Sequence, residues 1–424
     1  MSTASTQSAA STQSTAAKLG LLGSLYFSQG LPFGFFTQAL PVLLRKQGYS
    51  LEAIGLSSLL AAPWALKFLW APAADRFFWP RLGRRKSWIL PLQALTALTL
   101  GALALYGDAT SSVRLLMVAT IWLNLLAATQ DISSDGLAVD LLEPRERGVA
   151  NGLQVAGYRV GMIVGGGVLL VLFDRLGASG TFASMAVLTV LASVPVVLAR
   201  EPAVPSAAAA GKPAEPRRHF LRRPGAARLL ALVVTFKAGE AFATGMLRPF
   251  LADSGFSLAD VGWMLGTVGF VSGLVGALLG GALVNRLGRR RSLVAFGLLQ
   301  SVAVVGYAWI AAATPGREAF YAVCAVEHLS GGMATAALFT CMMDWCSKDA
   351  GATDYTVQAS AVVLSTGLAS AVAGFSAGHL GYPAHFALAA ALSLASLAAV
   401  AFGFPTREKP FFEVPEAAAP MGSG

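Results

Sequence analysis

Eight ionisable side chains fall inside long apolar runs of this 424-residue chain: Lys67, Asp131, Asp135, Arg159, Lys237, Glu240, Glu327 and His328. A charge is costly in hydrocarbon and usually faces a cavity or an opposite charge, so these positions are where chemistry is expected. Asp131 and Asp135 stand four residues apart, share one helix face and repel each other when both are ionised. One of the two should therefore hold a proton more readily. A nearby cation, Arg159 or Lys67, would offset the repulsion and link proton occupancy to helix position or to substrate; a static set of salt bridges uses the same residues. Lys237 and Glu240, three apart, fit an intrahelical ion pair as well as a part in transport. His328 fits a packing histidine better than a proton relay.

Some chemistries are excluded. The three cysteines, Cys324, Cys341 and Cys346, form no CxxC and have no spaced histidines, so neither a disulfide framework nor a metal site is expected. There is no Walker A sequence, HExxH or nucleophile elbow, so no catalytic residues and no cofactor are expected.

The elements that position these charges are membrane spans. With 55% hydrophobic and 12% charged residues, the chain lies far from soluble composition and needs lipid as a solvent. Apolar runs occur near 19–44, 54–72, 88–106, 113–139, 149–173 and 181–199, then near 229–251, 259–284, 292–312, 318–344, 356–378 and 383–404. These predict twelve spans in two six-helix bundles, residues 19–199 and 229–404. Residues 1–18 read as a disordered tail, 405–424 as a second tail, and 200–228, with Lys212, Arg217, Arg218, Arg222 and Arg223, as an exposed linker.

The net charge of +9 sits in loops, which argues against a nucleic-acid partner. Arg76, Arg81, Arg84, Arg85 and Lys86 follow span 2, Arg145 and Arg147 follow span 4, and Arg286, Arg289, Arg290 and Arg291 follow span 8, whereas the alternate loops carry few basic residues. The excess marks the cytoplasmic side, so both termini are placed there. Spans 3, 6, 9 and 12 have no charge in their interiors. Glycines on span 5 (Gly152, Gly157, Gly161) and span 8 (Gly266, Gly273, Gly280) would let helices pack closely and slide. Pro32, Pro41, Pro63 and Pro249 would bend spans 1, 2 and 7.

The chain also repeats itself. Gly48-Tyr-Ser-Leu-Glu-Ala-Ile-Gly55 recurs as Gly255-Phe-Ser-Leu-Ala-Asp-Val-Gly262, and Arg81-Leu-Gly-Arg-Arg-Lys-Ser87 as Arg286-Leu-Gly-Arg-Arg-Arg-Ser292, at offsets of 207 and 205 residues. Gly281-Ala-Leu-Val-Asn285-Arg286-Leu-Gly288-Arg289-Arg290 resembles the loop signature of major facilitator transporters. In the first copy an insertion, Phe77 to Arg81, separates Asp75-Arg76 from Leu82-Gly83-Arg84-Arg85, and in the second Asn285 replaces the acid. The resemblance implies an all-α membrane protein of the major facilitator fold, whose spans 3, 6, 9 and 12 are outer supports. It also implies a conformational latch built from Asp75, Arg76, Gly83, Arg84, Asn285, Arg286, Gly288 and Arg289.

Within that superfamily, Lys67-Phe-Leu-Trp-Ala-Pro72, Thr129-Gln-Asp131-Ile-Ser-Ser-Asp135, Gly157-Tyr-Arg159, Phe236-Lys237-Ala-Gly-Glu240 and Glu327-His-Leu-Ser-Gly-Gly332 resemble the AmpG-type muropeptide permeases and the related RhtX/FptX-type siderophore permeases of bacterial inner membranes. The segments Gln29 to Arg45 and Asp354 to Ser360 look more like the siderophore branch. His328 and the Ser133-Ser134 pair also depart from the muropeptide pattern. The resemblance thus implies proton-driven siderophore import, with anhydromuropeptide import or export of a small molecule by the same fold as alternatives. By the same resemblance Asp131, Asp135, Glu240 and Glu327 are candidate proton carriers, and Gln29, Gln38, Lys67, Gln130, Arg159, Lys237 and His328 are candidate ligands of a polar, ionised substrate. A monomer in the bilayer would suffice.

Overall fold

The computed structural model describes residues 14–40, 44, 60, 62–107, 109–169, 172–201 and 220–404, and among these the regular structure is helical. Eight helical stretches are long and apolar enough to cross a membrane by length and composition, and one of them, Gly351–Gly403, runs 53 residues. A backbone turn at Gly381, with φ of 76°, divides that stretch into spans 11 and 12. A left-handed φ is where glycine costs least.

The remaining rods complete a run consistent with twelve. Span 1 is Thr15–Gly34 continued by a π-helical turn, Phe35–Ala39; span 2 is Ala62–Leu66, Lys67–Leu69 and Ala71–Arg76; span 3 is Lys86–Leu105 and span 4 is Val113–Leu141. Span 5 is Arg147–Met162 with the π-helical Ile163–Val168, and span 6 is Phe173–Leu198. Span 7 joins Ala226–Thr244 to Leu247–Asp253, and span 8 joins Leu258–Val261, the π-helical Gly262–Gly269 and Phe270–Leu287. Spans 9 and 10 are Arg289–Ala313 and Arg317–Asp344.

Several expectations need correction. Helix already begins at Thr15, where Ser14 caps it by accepting from the Ala17 amide, so the first tail ends earlier than residue 18. The linker is anchored at both ends. Glu201 accepts from the Arg85 and Lys86 amides, Phe220 is buried, and Arg223 pairs with Asp354. Span 11 starts at Gly351, a turn before the apolar run, because Thr353 and Asp354 are polar yet tied to neighbours. Pro32 and Pro249 lie within spans 1 and 7, and Pro63 opens the described part of span 2. Pro41 and the first copy of the glycine repeat, 48–55, lie outside the described residues, as do 1–13, 202–219 and 405–424.

Packing follows from the lack of any hydrophobic drive between helices in lipid, which leaves close contact as the main source of attraction. A Cβ on Gly165 of span 5 would stand 1.9 Å from the Leu31 carbonyl oxygen of span 1, and one on Gly276 of span 8 would stand 2.0 Å from that of Leu329 on span 10. Only glycine permits these crossings. The charge-free spans face outward: Leu98, Val190, Val302 and Leu392 on spans 3, 6, 9 and 12 are all exposed.

The cores show how the halves meet. At the end of the molecule carrying the basic loops, residues of both halves share one core, in which Leu25, Tyr26 and Leu137 pack together with Val284, Met342 and Tyr355. Toward the opposite end each half has its own, built around Phe35 and Phe182 in the N half and around Phe250 and Phe386 in the C half. The helical bundle is therefore joined at the basic end and divided at the other.

Candidate functional site

The buried charges sort into two clusters. In the N half, span 2 breaks its α-helix at Lys67–Leu69 and places Lys67, 2% exposed, against span 4. Its ammonium bonds Asp131 directly and stands 3.9 Å from Asp135. Tyr26 of span 1 donates to Asp135 Oδ1 at 2.6 Å, and Gln154 of span 5 reaches the same oxygen at 3.3 Å. Amides and hydroxyls surround the cluster. Gln29 donates to Ser134 Oγ at 3.1 Å, while Gln93 and Gln130 donate to Ser28 Oγ at 3.2 and 3.4 Å. Between the two cations that the sequence offered as partners of the aspartates, the geometry selects Lys67.

Arg159 goes to the other cluster. Its guanidinium lies over Gly273 of span 8, where a Cβ would stand 2.0 Å from Nη1, and 5.5 Å from the centre of the Phe270 ring. It lines the same cavity as Glu240 and Glu327 of the C half. Glu327 Oε2 lies 2.7 Å from His328 Nδ1 and accepts from Tyr307 at 3.4 Å. Glu240 pairs with Lys237 on its own helix, as an i, i+3 pair should. A Cβ on Gly331 would meet Glu240 Oε1 at 2.8 Å and Glu327 Oε1 at 3.6 Å, so the two carboxylates converge above this glycine.

These groups line a cavity of about 340 Å³ with Arg159 on one wall, Glu240, Glu327 and His328 on another, and Arg248, Thr244 and Thr335 completing its polar lining. Such a volume lies within the range of small-molecule sites. The cavity belongs to the divided end, since Leu247 and Arg248 lie on the last stretch of span 7. Gln38 sits on the π-helical turn of span 1, and its side chain lies outside what the structure describes.

At the basic end the two loop copies do different things. Gly83 (φ 99°) and Gly288 (φ 81°) both turn the chain with positive φ, as the repeated Leu-Gly pair requires. In the first copy Asp75 Oδ1 accepts from Arg84 and Arg85 at 2.8 Å each, and Oδ2 accepts from the Thr353 amide at 2.9 Å and hydroxyl at 2.6 Å. Arg84 also donates to the Asp349 carbonyl, and Arg85 Nε to Asp140 at 2.7 Å. In the second copy Asn285 donates to the Arg145 carbonyl at 2.6 Å, and Arg289 reaches the Pro144 carbonyl at 2.7 Å and Asp344 at 2.6 Å. Asp344 takes Arg147 of span 5 at 2.7 Å as well.

Among the described residues, the hydrogen bonds joining the two halves lie at this end. Arg76 and Arg286 of the expected latch are exposed instead, and Arg85, wholly buried, takes the inner place. Beside the latch, burial raises Glu146 of the loop before span 5, but bonds from Lys18, Thr15 and the Glu143 amide bring it down to about 2.

Sequence reasoning missed Tyr26, Gln154, Tyr307, Arg248, Asp140, Asp344 and Thr353. The tyrosines and Gln154 lie uncharged inside apolar runs, and the rest are loop or span-end residues; the signal available for Asp140 was its place nine residues beyond Asp131 on the same span.

Comparison with known proteins fits this architecture. The family model described as Major Facilitator Superfamily matches residues 22–316 and 230–420. An anhydromuropeptide permease of Escherichia coli (strain K12) is 32% identical over 363 residues, covering 83% of this chain and 72% of the relative. A putative transporter, AmpG 4, of Rickettsia conorii is 26% identical over 381 residues, covering 87% of this chain and 92% of that one. A crystal structure of a major facilitator transporter, FucP, in the outward conformation superposes with a TM-score of 0.64 at 16% identity, covering 93% of this chain and all of that one. A helical bundle with a duplicated basic loop, matched over most of its length by this family model and these relatives, makes the chain a member of the major facilitator superfamily.

Proposed function

We propose that the chain is a bacterial inner-membrane importer that couples entry of an anhydromuropeptide-type substrate to protons by alternating access. The observation that carries this reading is the cavity in which Arg159 of one half faces Glu240, Glu327 and His328 of the other. A ligand carboxylate can take Arg159 in a bidentate grip and draw it from the two glutamates. The uncovered glutamates then favour protons. In the N half one ammonium, Lys67, serves two carboxylates, Asp131 and Asp135, which leaves a negative charge that a proton can neutralise.

With the basic loops and both termini on the cytoplasmic side, the divided end faces the periplasm. Release would follow once the Asp75–Thr353 and Arg289–Asp344 contacts part. The monomer contains every group this cycle uses. Siderophore import, toward which two segments of the sequence leaned, gains no support from the relatives, whereas the muropeptide alternative does.

The test is uptake of a labelled anhydromuropeptide, and of an iron-loaded siderophore, into right-side-out vesicles carrying the chain, with and without a protonophore. Protonophore-sensitive accumulation of the muropeptide is expected. Accumulation of the siderophore alone would overturn the substrate assignment, and insensitivity to the protonophore would overturn the coupling.

A further inference from the structure

The two carboxylates of the cavity already have partners, and its two guanidiniums do not. Glu240 pairs with Lys237 on its own helix, and Glu327 has His328 Nδ1 at 2.7 Å and the Tyr307 hydroxyl at 3.4 Å. The threonine hydroxyls of the lining are also committed, Thr244 donating to the Glu240 carbonyl at 3.0 Å and Thr335 to that of Gly331 at 2.7 Å. Arg159 and Arg248 line the same cavity, yet among the described residues neither guanidinium has a hydrogen bond or an ion pair. Each carries five N–H donors in a planar fork that fits a carboxylate.

The two arginines come from different halves. Arg159 is half-buried on span 5, where Gly273 of span 8 makes room for it, whereas Arg248 is exposed on Leu247–Asp253, the stretch on which span 7 resumes after its break at Met246. A guanidinium is permanently charged, and holding one in a membrane span without an anion is costly. The cavity therefore lacks two anions, one for the inner arginine and one for the outer. A ligand with a single carboxylate satisfies only one of them. Two carboxylates satisfy both and tie the N half to the C half across the divided end. At about 340 Å³ the cavity lies at the small end of ligand sites, so both carboxylates belong on one compact portion of the ligand.

We infer that Arg159 and Arg248 form a two-point anion site, and that the substrate carries two carboxylates, one held by each guanidinium. This rests on the function proposed above, narrows its substrate to a dianion, and makes Arg248 the residue that selects dianions over monoanions. A general attraction exerted by Arg248 on anything negative would instead weaken every anionic ligand alike when the residue is lost.

The experiment is calorimetric titration of the purified full chain with an anhydromuropeptide whose peptide is alanyl-glutamate, which bears two carboxylates, and with its two monoamides. Wild type should bind the diacid about tenfold more tightly than either monoamide. Arg248→Gln should weaken the diacid about tenfold and leave unchanged the monoamide that lacks the carboxylate held by Arg248. Arg248→Lys, which keeps the charge but loses the fork, should fall between the two. Unchanged affinity for the diacid in Arg248→Gln overturns the inference, as does an equal loss for the diacid and both monoamides. Equal binding of all three ligands by wild type overturns the inference but leaves a muropeptide importer standing. Binding of none of them by wild type overturns the inference together with the proposed function.

Discussion

The N half packs Lys67, Asp131 and Asp135 among tyrosine and amide groups, whereas the C half places Glu240, Glu327 and His328 on the wall of a cavity. The two halves share a duplicated loop, turned by Gly83 in one and Gly288 in the other, so the difference arose within a common scaffold. It teaches a division of labour. Under the proposed function, the ion-paired cluster of the N half suits uptake of a proton, while groups on a cavity wall can meet a ligand. The loop copies also differ: Asp75 itself gathers two guanidiniums and the start of span 11, whereas Asn285 donates to a loop carbonyl and accepts from Arg289, and the carboxylate that gathers Arg289 and Arg147 is Asp344.

The comparison breaks most visibly at the aspartates. Asp131→Asn and Asp135→Asn, made singly, are expected to abolish accumulation of substrate while folded protein stays in the membrane; uptake at the wild-type level in both would remove them from the coupling. Next is Lys67→Met, which leaves two carboxylates without their cation. It should destabilise the purified protein by about 3–5 kcal/mol, and adding Asp131→Asn should recover much of that loss, as a thermal-unfolding double-mutant cycle would show.

The latches come third. Asp75→Asn, which weakens charge-assisted bonds by about 1–3 kcal/mol, should open the basic end and raise the alkylation rate of Cys346. Asn285→Ala should do so less, by about 1 kcal/mol or below. Equal effects would mean that the two copies are not specialised.

The smallest effect concerns Glu146. Its pKa is depressed from an ordinary 4.5 to about 2, so the stability of its clip to Lys18 and Thr15 is present above the unfolded value and fades as pH falls through the folded one. Hydrogen exchange at the Ala17 and Lys18 amides, which donate to Ser14, should therefore be slower at pH 7 than in Glu146→Gln at that pH. As pH falls below 4 the difference between the two proteins should shrink.

Much of this was legible in the sequence, for physical reasons. Charges in apolar runs are costly, so Lys67, Asp131, Asp135, Arg159, Glu240 and Glu327 stood out and proved to be clustered. The charge-free spans do expose apolar side chains, among them Leu98, Val190, Val302 and Leu392. Pairing was less legible: helix spacing put Asp131 and Asp135 on one face but could not choose between Lys67 and Arg159, which depends on the break in span 2 and on Gly273 making room for a guanidinium. Hydroxyl partners were hidden because Tyr26 and Tyr307 fit an apolar pattern until a carboxylate is placed beside them. Arg76 and Arg286 of the expected latch are exposed while Arg85 is buried, because a basic run does not reveal which arginine turns inward.

The most direct test of the proposed division between a coupling cluster in the N half and a binding cavity is substrate counterflow in vesicles by Asp131→Asn, with Arg159→Gln alongside. The account predicts that Asp131→Asn still exchanges labelled for unlabelled anhydromuropeptide but no longer accumulates it, while Arg159→Gln does neither. Loss of exchange in Asp131→Asn with exchange intact in Arg159→Gln would contradict it.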